Sequence, residues 1–161
     1  KSVALRGVDT AIATDFCEVV KQTLDAWHFP HADSVSFDPT TFDIVVAGQN
    51  RQSLGKGFRA VTHAAFSISL MRYCRREGHP HPGIVVIDTP LNPFKGADSG
   101  SDERVSDDVQ SAFYADLALH TGNDQVIVFE NTEPPESLRG NMSYTHFSGN
   151  PSLGRAGFFP A

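Results

Sequence analysis

Little in this chain speaks for a disulfide scaffold, a membrane span or a uniformly basic surface. It holds 2 cysteines, 2 methionines and 1 tryptophan among 161 residues. Cys17 and Cys74 fall inside helical patterns and far apart in sequence. That placement reads as thiols of a reducing compartment, the cytoplasm, rather than as a disulfide framework. No apolar run approaches the roughly 18 uninterrupted residues that a membrane-crossing helix needs, so no membrane partner is expected. The 13 Lys and Arg against 19 Asp and Glu give a net charge of -6, which excludes a wholly nucleic-acid-coating face but leaves room for a local basic patch. The chain opens Lys1-Ser2, without methionine and without the charged-then-apolar pattern of a secretory leader. The expectation is a piece of a longer cytosolic protein.

What is present fits one domain over residues 1–161, with enough apolar content for a core. Val8, Ile12, Phe16, Val20, Leu24 and Trp27 recur at helical spacing and predict an amphipathic helix over 9–28, stopped by Pro30. Val35 to Phe37 and Phe42 to Val46 predict a hairpin around Asp38-Pro39-Thr40-Thr41. After a polar loop over 48–57, Val61, Ala65, Ile68 and Met71 mark a second helix from Phe58 to Arg76, closed by Gly78. Ile84 to Ile87 and Gln125 to Phe129 are short apolar runs of the kind that strands covered on both faces carry. Between them Val105, Val109, Ala112, Phe113 and Leu117 mark a third helix, so the segment reads as a βαβ unit with parallel strands. The tail over 133–161 is rich in Pro, Gly and Ser. Within it, Tyr144 to Phe147 and Gly157 to Phe159 are expected to pair as short strands.

Two features carry chemistry. Asp88 ends the first apolar run, where open α/β sheets bind ligands and where a carboxylate can hold Mg²⁺, usually through water. The turn Ser53-Leu54-Gly55-Lys56-Gly57 opens the second helix, and its glycines let backbone N–H groups approach a phosphate. The plain alternatives are an Asp that caps the turn at Thr89-Pro90 and a Ser53 N-cap. The turn is not a phosphate-binding P-loop. That motif requires Gly where this chain has Asn50, and Ser or Thr where it has Gly57.

Taken in order, a Gly-Ser turn, a long helix, an apolar strand ending Asp-x-Pro, a helix and a second apolar strand resemble the C-terminal lobe of an SMC-type ATPase head. These ABC-related ATPases serve chromosome maintenance, DNA repair and bacterial defence. The resemblance spans about residues 42–132. It implies a partial P-loop NTPase-like α/β fold, whose Walker A loop lies in a separate N-terminal lobe joined through a coiled coil. The helix over 9–28 would then leave the coiled-coil arm. By the same resemblance Ser53, Gly55, Lys56 and Gly57 form the signature motif that meets ATP held by the opposite head, with Leu54 replacing a small residue. Asp88 is the Walker B aspartate. Thr89 stands where the family has its catalytic glutamate, and a threonine hydroxyl is no effective base at neutral pH. Glu130 is the carboxylate that would substitute, and Asn131 stands near the place of the switch histidine. Asn92 to Phe94 fall near the dimer-contacting loop.

The implied cofactors are ATP and Mg²⁺. The implied partners are the N-terminal Walker A lobe of the same protein, a second head in a dimer, DNA and a nuclease subunit. Hydrolysis is expected only with the Walker A lobe present. Two other readings compete: a nucleotide-binding or interaction module that no longer hydrolyses, and an unrelated metal-dependent hydrolase using Asp88 with Glu130. Two further clusters weigh little. Cys74, His79 and His81 lack a fourth zinc ligand. Arg72, Arg75 and Arg76 suit a solvated helix end better than a DNA contact.

Overall fold

The structure is a computed structural model that describes residues 7–91 and 107–159. Helix α1 spans Thr10–Ala26. The Asp9 carboxylate caps it, with Oδ1 accepting the N–H groups of Ala11 at 2.8 Å and Ile12 at 3.4 Å. It ends before Pro30, because the chain turns through left-handed His28 and His31. Strands β1 (Val35–Asp38), β2 (Asp43–Val46) and β3 (Gln49–Asn50) form an antiparallel sheet. The expected hairpin is there, with Val35 opposite Val46 and Asp38 opposite Asp43. Asp38 shapes its turn by accepting from the Thr40 N–H and the Thr41 hydroxyl.

Helix α2 runs Lys56–Glu77 and buries Val61, Ala64, Ala65, Ile68 and Met71. Gly78, at φ 69°, terminates it: its N–H reaches the Arg75 carbonyl and the His79 N–H reaches that of Cys74. Only glycine adopts this left-handed closure without steric cost. Strand β4 (Ile84–Asp88), helix α3 (Asp107–Ala118) and strand β5 (Gln125–Phe129) follow, and β4 and β5 pair in parallel.

The core lies between the helices and one face of each sheet. Edge-to-face ring pairs join α1 to α2 through Phe16 and Phe66, and the end of α1 to α3 through Trp27 and Phe113, with centroids 5.2 and 4.8 Å apart. One polar seam crosses this core. Asp116 on α3 accepts from the Trp27 indole N–H at 2.7 Å and from Arg72 at 2.9 Å, while Arg72 and Ser69 both donate to the Thr23 hydroxyl. The seam satisfies the polar atoms that three converging helices would otherwise bury unpaired.

Two expectations about strands need correction. The apolar runs at β4 and β5 are covered on one face only: Val85 and Ile87 are buried, while Ile84 and Val86 are 45% and 58% exposed. Val126 and Val128, which pair with Val85 and Ile87, pack on the core. Residues alternate sides along a strand, so Ile84, Val86 and Asp88 share the open face with Gln125, Ile127 and Phe129. An all-apolar run therefore did not mean two covered faces among the described residues. The tail also forms no strands within residues 133–159. Turns and short 3-10 segments at Glu136–Asn141 and Pro151–Leu153 take their place. Two backbone bonds, Ser148 N–H to the Arg155 carbonyl and Gly149 N–H to that of Ala156, close the loop between them.

Candidate functional site

The turn around Ser53 is held from beneath by an ion pair that bridges β2 and the 3-10 segment Arg51–Ser53. Arg51 donates through Nε and Nη2 to the two oxygens of Asp43, at 2.9 and 2.8 Å. Burial pushes the Asp43 carboxyl up, but the Arg51 hydrogen bonds, the Ile44 N–H and the Arg51 charge outweigh it, so it ends below its ordinary value. Ser53 and Lys56 remain exposed above this clamp. Ser53 is not the N-cap of α2. Gly55 takes that place, and the first helical turn carries no acidic residue. An exposed helix N-terminus without a carboxylate nearby in sequence is electrostatically suited to an anion.

The second feature is the C-terminal end of the β4–β5 sheet. Asp88 is exposed there and lies opposite Phe129 in the parallel register. Thr89, next in sequence, has φ 46°, a left-handed conformation that crowds a β-branched side chain. It is held by its N–H, which donates to the Phe129 carbonyl at 2.7 Å, and its hydroxyl lies 3.3 Å from Asp88 Oδ1. Pro90 and Leu91 are buried behind it.

Glu130 closes this end. Its Oε2 accepts the N–H of buried Leu91 and its Oε1 accepts the N–H of Asn131, both at 2.7 Å. The Tyr114 hydroxyl donates to the Thr132 carbonyl at 2.6 Å, tying the same loop to α3. Burial, followed by the charge of Glu130, raises the Tyr114 phenol above its usual range. Asn131 is exposed beside these groups.

Asp88, Thr89, Glu130 and Asn131 are thus brought together at one sheet end. The Ser53 turn belongs elsewhere, packed on α2 and β2 at the antiparallel sheet. Among the described residues no cluster of three or more His, Cys, Asp or Glu is placed to hold a metal. Asp88 and the Thr89 hydroxyl are the oxygen donors at this end, too few to hold a divalent ion without water or phosphate oxygens completing its shell.

Comparison of the chain with protein-family models, with curated proteins and with solved structures finds no match. No family is assigned. Among the described residues, no helix is long and apolar enough to cross a membrane.

The weaker clusters resolve in favour of structure. His81 Nδ1 accepts the Gly83 N–H at 3.0 Å, and the His79 ring lies by Tyr73. Arg72 pairs with Asp116, Arg75 with Asp124 and Arg76 with Glu77. Their charge is largely matched locally, which disfavours a DNA-binding stripe. Cys17 is buried and Cys74 partly so, both as free thiols. Asn92 to Phe94 and Val105 lie outside the described residues. Sequence reasoning missed the Asp43–Arg51 clamp and the hydroxyl of Tyr114. Eight residues separate the first pair across a hairpin, and no local spacing rule joins them.

Proposed function

We propose that this chain is the C-terminal lobe of an SMC-type ATPase head, a partial P-loop NTPase-like fold that works with a separate Walker A lobe. The observation that supports the reading best is the uncovered apolar face of β4 and β5 with Asp88 at its rim. A parallel sheet rarely leaves such a face to water. A second lobe that covers it would also bring a phosphate cradle to the carboxylate. In this reading Asp88 orients the water shell of Mg²⁺ and Asn131 hydrogen-bonds phosphate or water. Mg²⁺ with nucleotide supplies charge neutralisation at the phosphates. In this reading the exposed Ser53 turn, which packs on α2 and β2 and not at the Asp88 end, meets the nucleotide of a second head. ATP then shifts the population toward engaged heads, on DNA and with an associated nuclease as the partners of that state.

Turnover is the test. The chain by itself has no P-loop and is expected to show no ATP hydrolysis. Joined to a Walker A lobe it should bind ATP, with Asp88→Asn abolishing any turnover. Robust hydrolysis by residues 1–161 alone would refute the assignment.

A second reading, a lobe that binds nucleotide without hydrolysing it, is favoured by one observation. Thr89 replaces the expected glutamate, and both oxygens of Glu130, the substitute base, already accept backbone N–H groups. A large gain in turnover on Thr89→Glu in the assembled protein would support it. The metal-dependent hydrolase reading would require Asp88 and Glu130 to share a metal, and divalent-ion binding dependent equally on both is its test.

A further inference from the structure

We infer that Glu130 is a positioning residue for Asp88 and neither a base nor a metal ligand; this rests on reading Asp88 as the magnesium-side acid. Leu91 is fully buried, so its N–H has no water to turn to. Glu130 Oε2 is its acceptor, 39 residues away in sequence and 2.7 Å away in space. The other oxygen turns back on the Asn131 N–H. One carboxylate therefore staples the loop after β4 to the loop after β5.

Between the staple and the sheet lies Thr89, in a conformation unfavourable for its residue type. It is fixed on one side by the Phe129 carbonyl. On the other side, beyond Pro90, the Glu130 bond to Leu91 fixes the chain. Strain of this kind persists only where neighbours impose it. The direction of Asp88 and the contact of its Oδ1 with the Thr89 hydroxyl follow from that imposed turn. The Tyr114 bond to Thr132 holds the base of the staple on α3.

The test uses the 161-residue chain with Mn²⁺ as the probe. Amide exchange and Mn²⁺ broadening of backbone signals are followed by NMR in wild type, Asp88→Asn, Glu130→Ala and Glu130→Gln. In wild type, Mn²⁺ should broaden signals around residues 87–91, and Asp88→Asn should erase this. Loss of the staple in Glu130→Ala should speed Leu91 exchange about tenfold or more. It should also raise the Mn²⁺ concentration for half-broadening several-fold. Glu130→Gln keeps one acceptor oxygen and should fall between in both readouts, and it is the parallel change in Leu91 exchange that a direct ligand or a base would not require. If Glu130→Ala fails to fold, Glu130→Gln decides alone. Unchanged Leu91 exchange in the Glu130 variants overturns the inference. So does loss of broadening as complete as in Asp88→Asn with Leu91 still protected, because Glu130 would then be a ligand. Broadening that survives Asp88→Asn sinks the reading of Asp88 instead, and the Leu91 exchange still decides whether the staple exists.

Discussion

The two sheets of this chain are finished to different degrees. Around β1–β3, Ile44 and Val46 are buried and Asp43 is neutralised by Arg51, and the one large exposed apolar side chain there among the described residues, Phe42, sits in the turn against Phe37. Around β4–β5 one face joins the core, and the other leaves Ile84, Val86 and Phe129 to solvent. The exposed rings of Phe158 and Phe159 extend that apolar surface, with Phe158 lying 6.1 Å from Phe129. Among the described residues, the first sheet meets its partners locally, and the parallel pair keeps an apolar face exposed, a patch of the kind that marks an interaction surface.

Core against open face gives the largest expected contrast. Phe113 is fully buried against Trp27 and Tyr114. Phe113→Ala should cost about 3–5 kcal/mol of unfolding free energy, from lost transfer and a cavity. Val86→Ser, on the open face, should change it by no more than about 0.5 kcal/mol. Urea unfolding of both variants checks this. A comparable loss from Val86→Ser would mean that the face is covered after all.

The clamp on the finished sheet comes next. Arg51→Ala strands a mostly buried Asp43 carboxylate, and should cost about 2–3 kcal/mol. The sign with pH follows from the Asp43 shift. Its folded carboxyl lies below the ordinary value of 3.8, so the bonus is fully present above that value and fades as pH falls through the lower, folded one. Stability measured between pH 6 and about pH 2 should therefore drop in wild type, and the drop should be smaller in Asp43→Asn. An identical pH profile for the two would dissociate the clamp from acid stability.

The elements behind this contrast were legible in sequence, though not the contrast itself. The stripe Val61, Ala65, Ile68, Met71 placed α2, the Asp38 turn placed the hairpin, and the apolar runs placed β4 and β5. Asp88 at a strand end was legible for the same reason, since strand tips follow from where apolar runs stop. Burial of each face was not. A run such as Ile84 to Ile87 looks the same whether one face or two are covered, because apolar residues at every position hide the alternation that burial would show. The Glu130 staple was invisible too: it joins loops that only the parallel register brings together, and both of its donors are backbone N–H groups, which carry no residue identity.

Self-association sharpens the comparison at a smaller scale. An open parallel pair offers unpaired edges and an apolar face, a common route to aggregation. Val86→Lys should reduce light scattering of the concentrated chain several-fold while leaving unfolding free energy nearly unchanged. The matching change on the other sheet, exposed Ser36→Lys on β1, should not alter scattering. Equal effects from both would assign solubility to net charge rather than to the open face.

The smallest effect concerns Thr89. Left-handed backbone costs a β-branched residue about 1–2 kcal/mol, and glycine removes that cost while adding chain entropy of about 0.5–1 kcal/mol to the unfolded state. Thr89→Gly should thus stabilise the chain by about 0.5–1 kcal/mol, read as a small rise in the urea midpoint. The gain should come with weaker ordering of Asp88, because the hydroxyl contact is gone and the turn has lost the barrier that kept it in one place. A destabilised Thr89→Gly would mean that the turn is relaxed as it stands, and that the unfinished end of the molecule stores no strain.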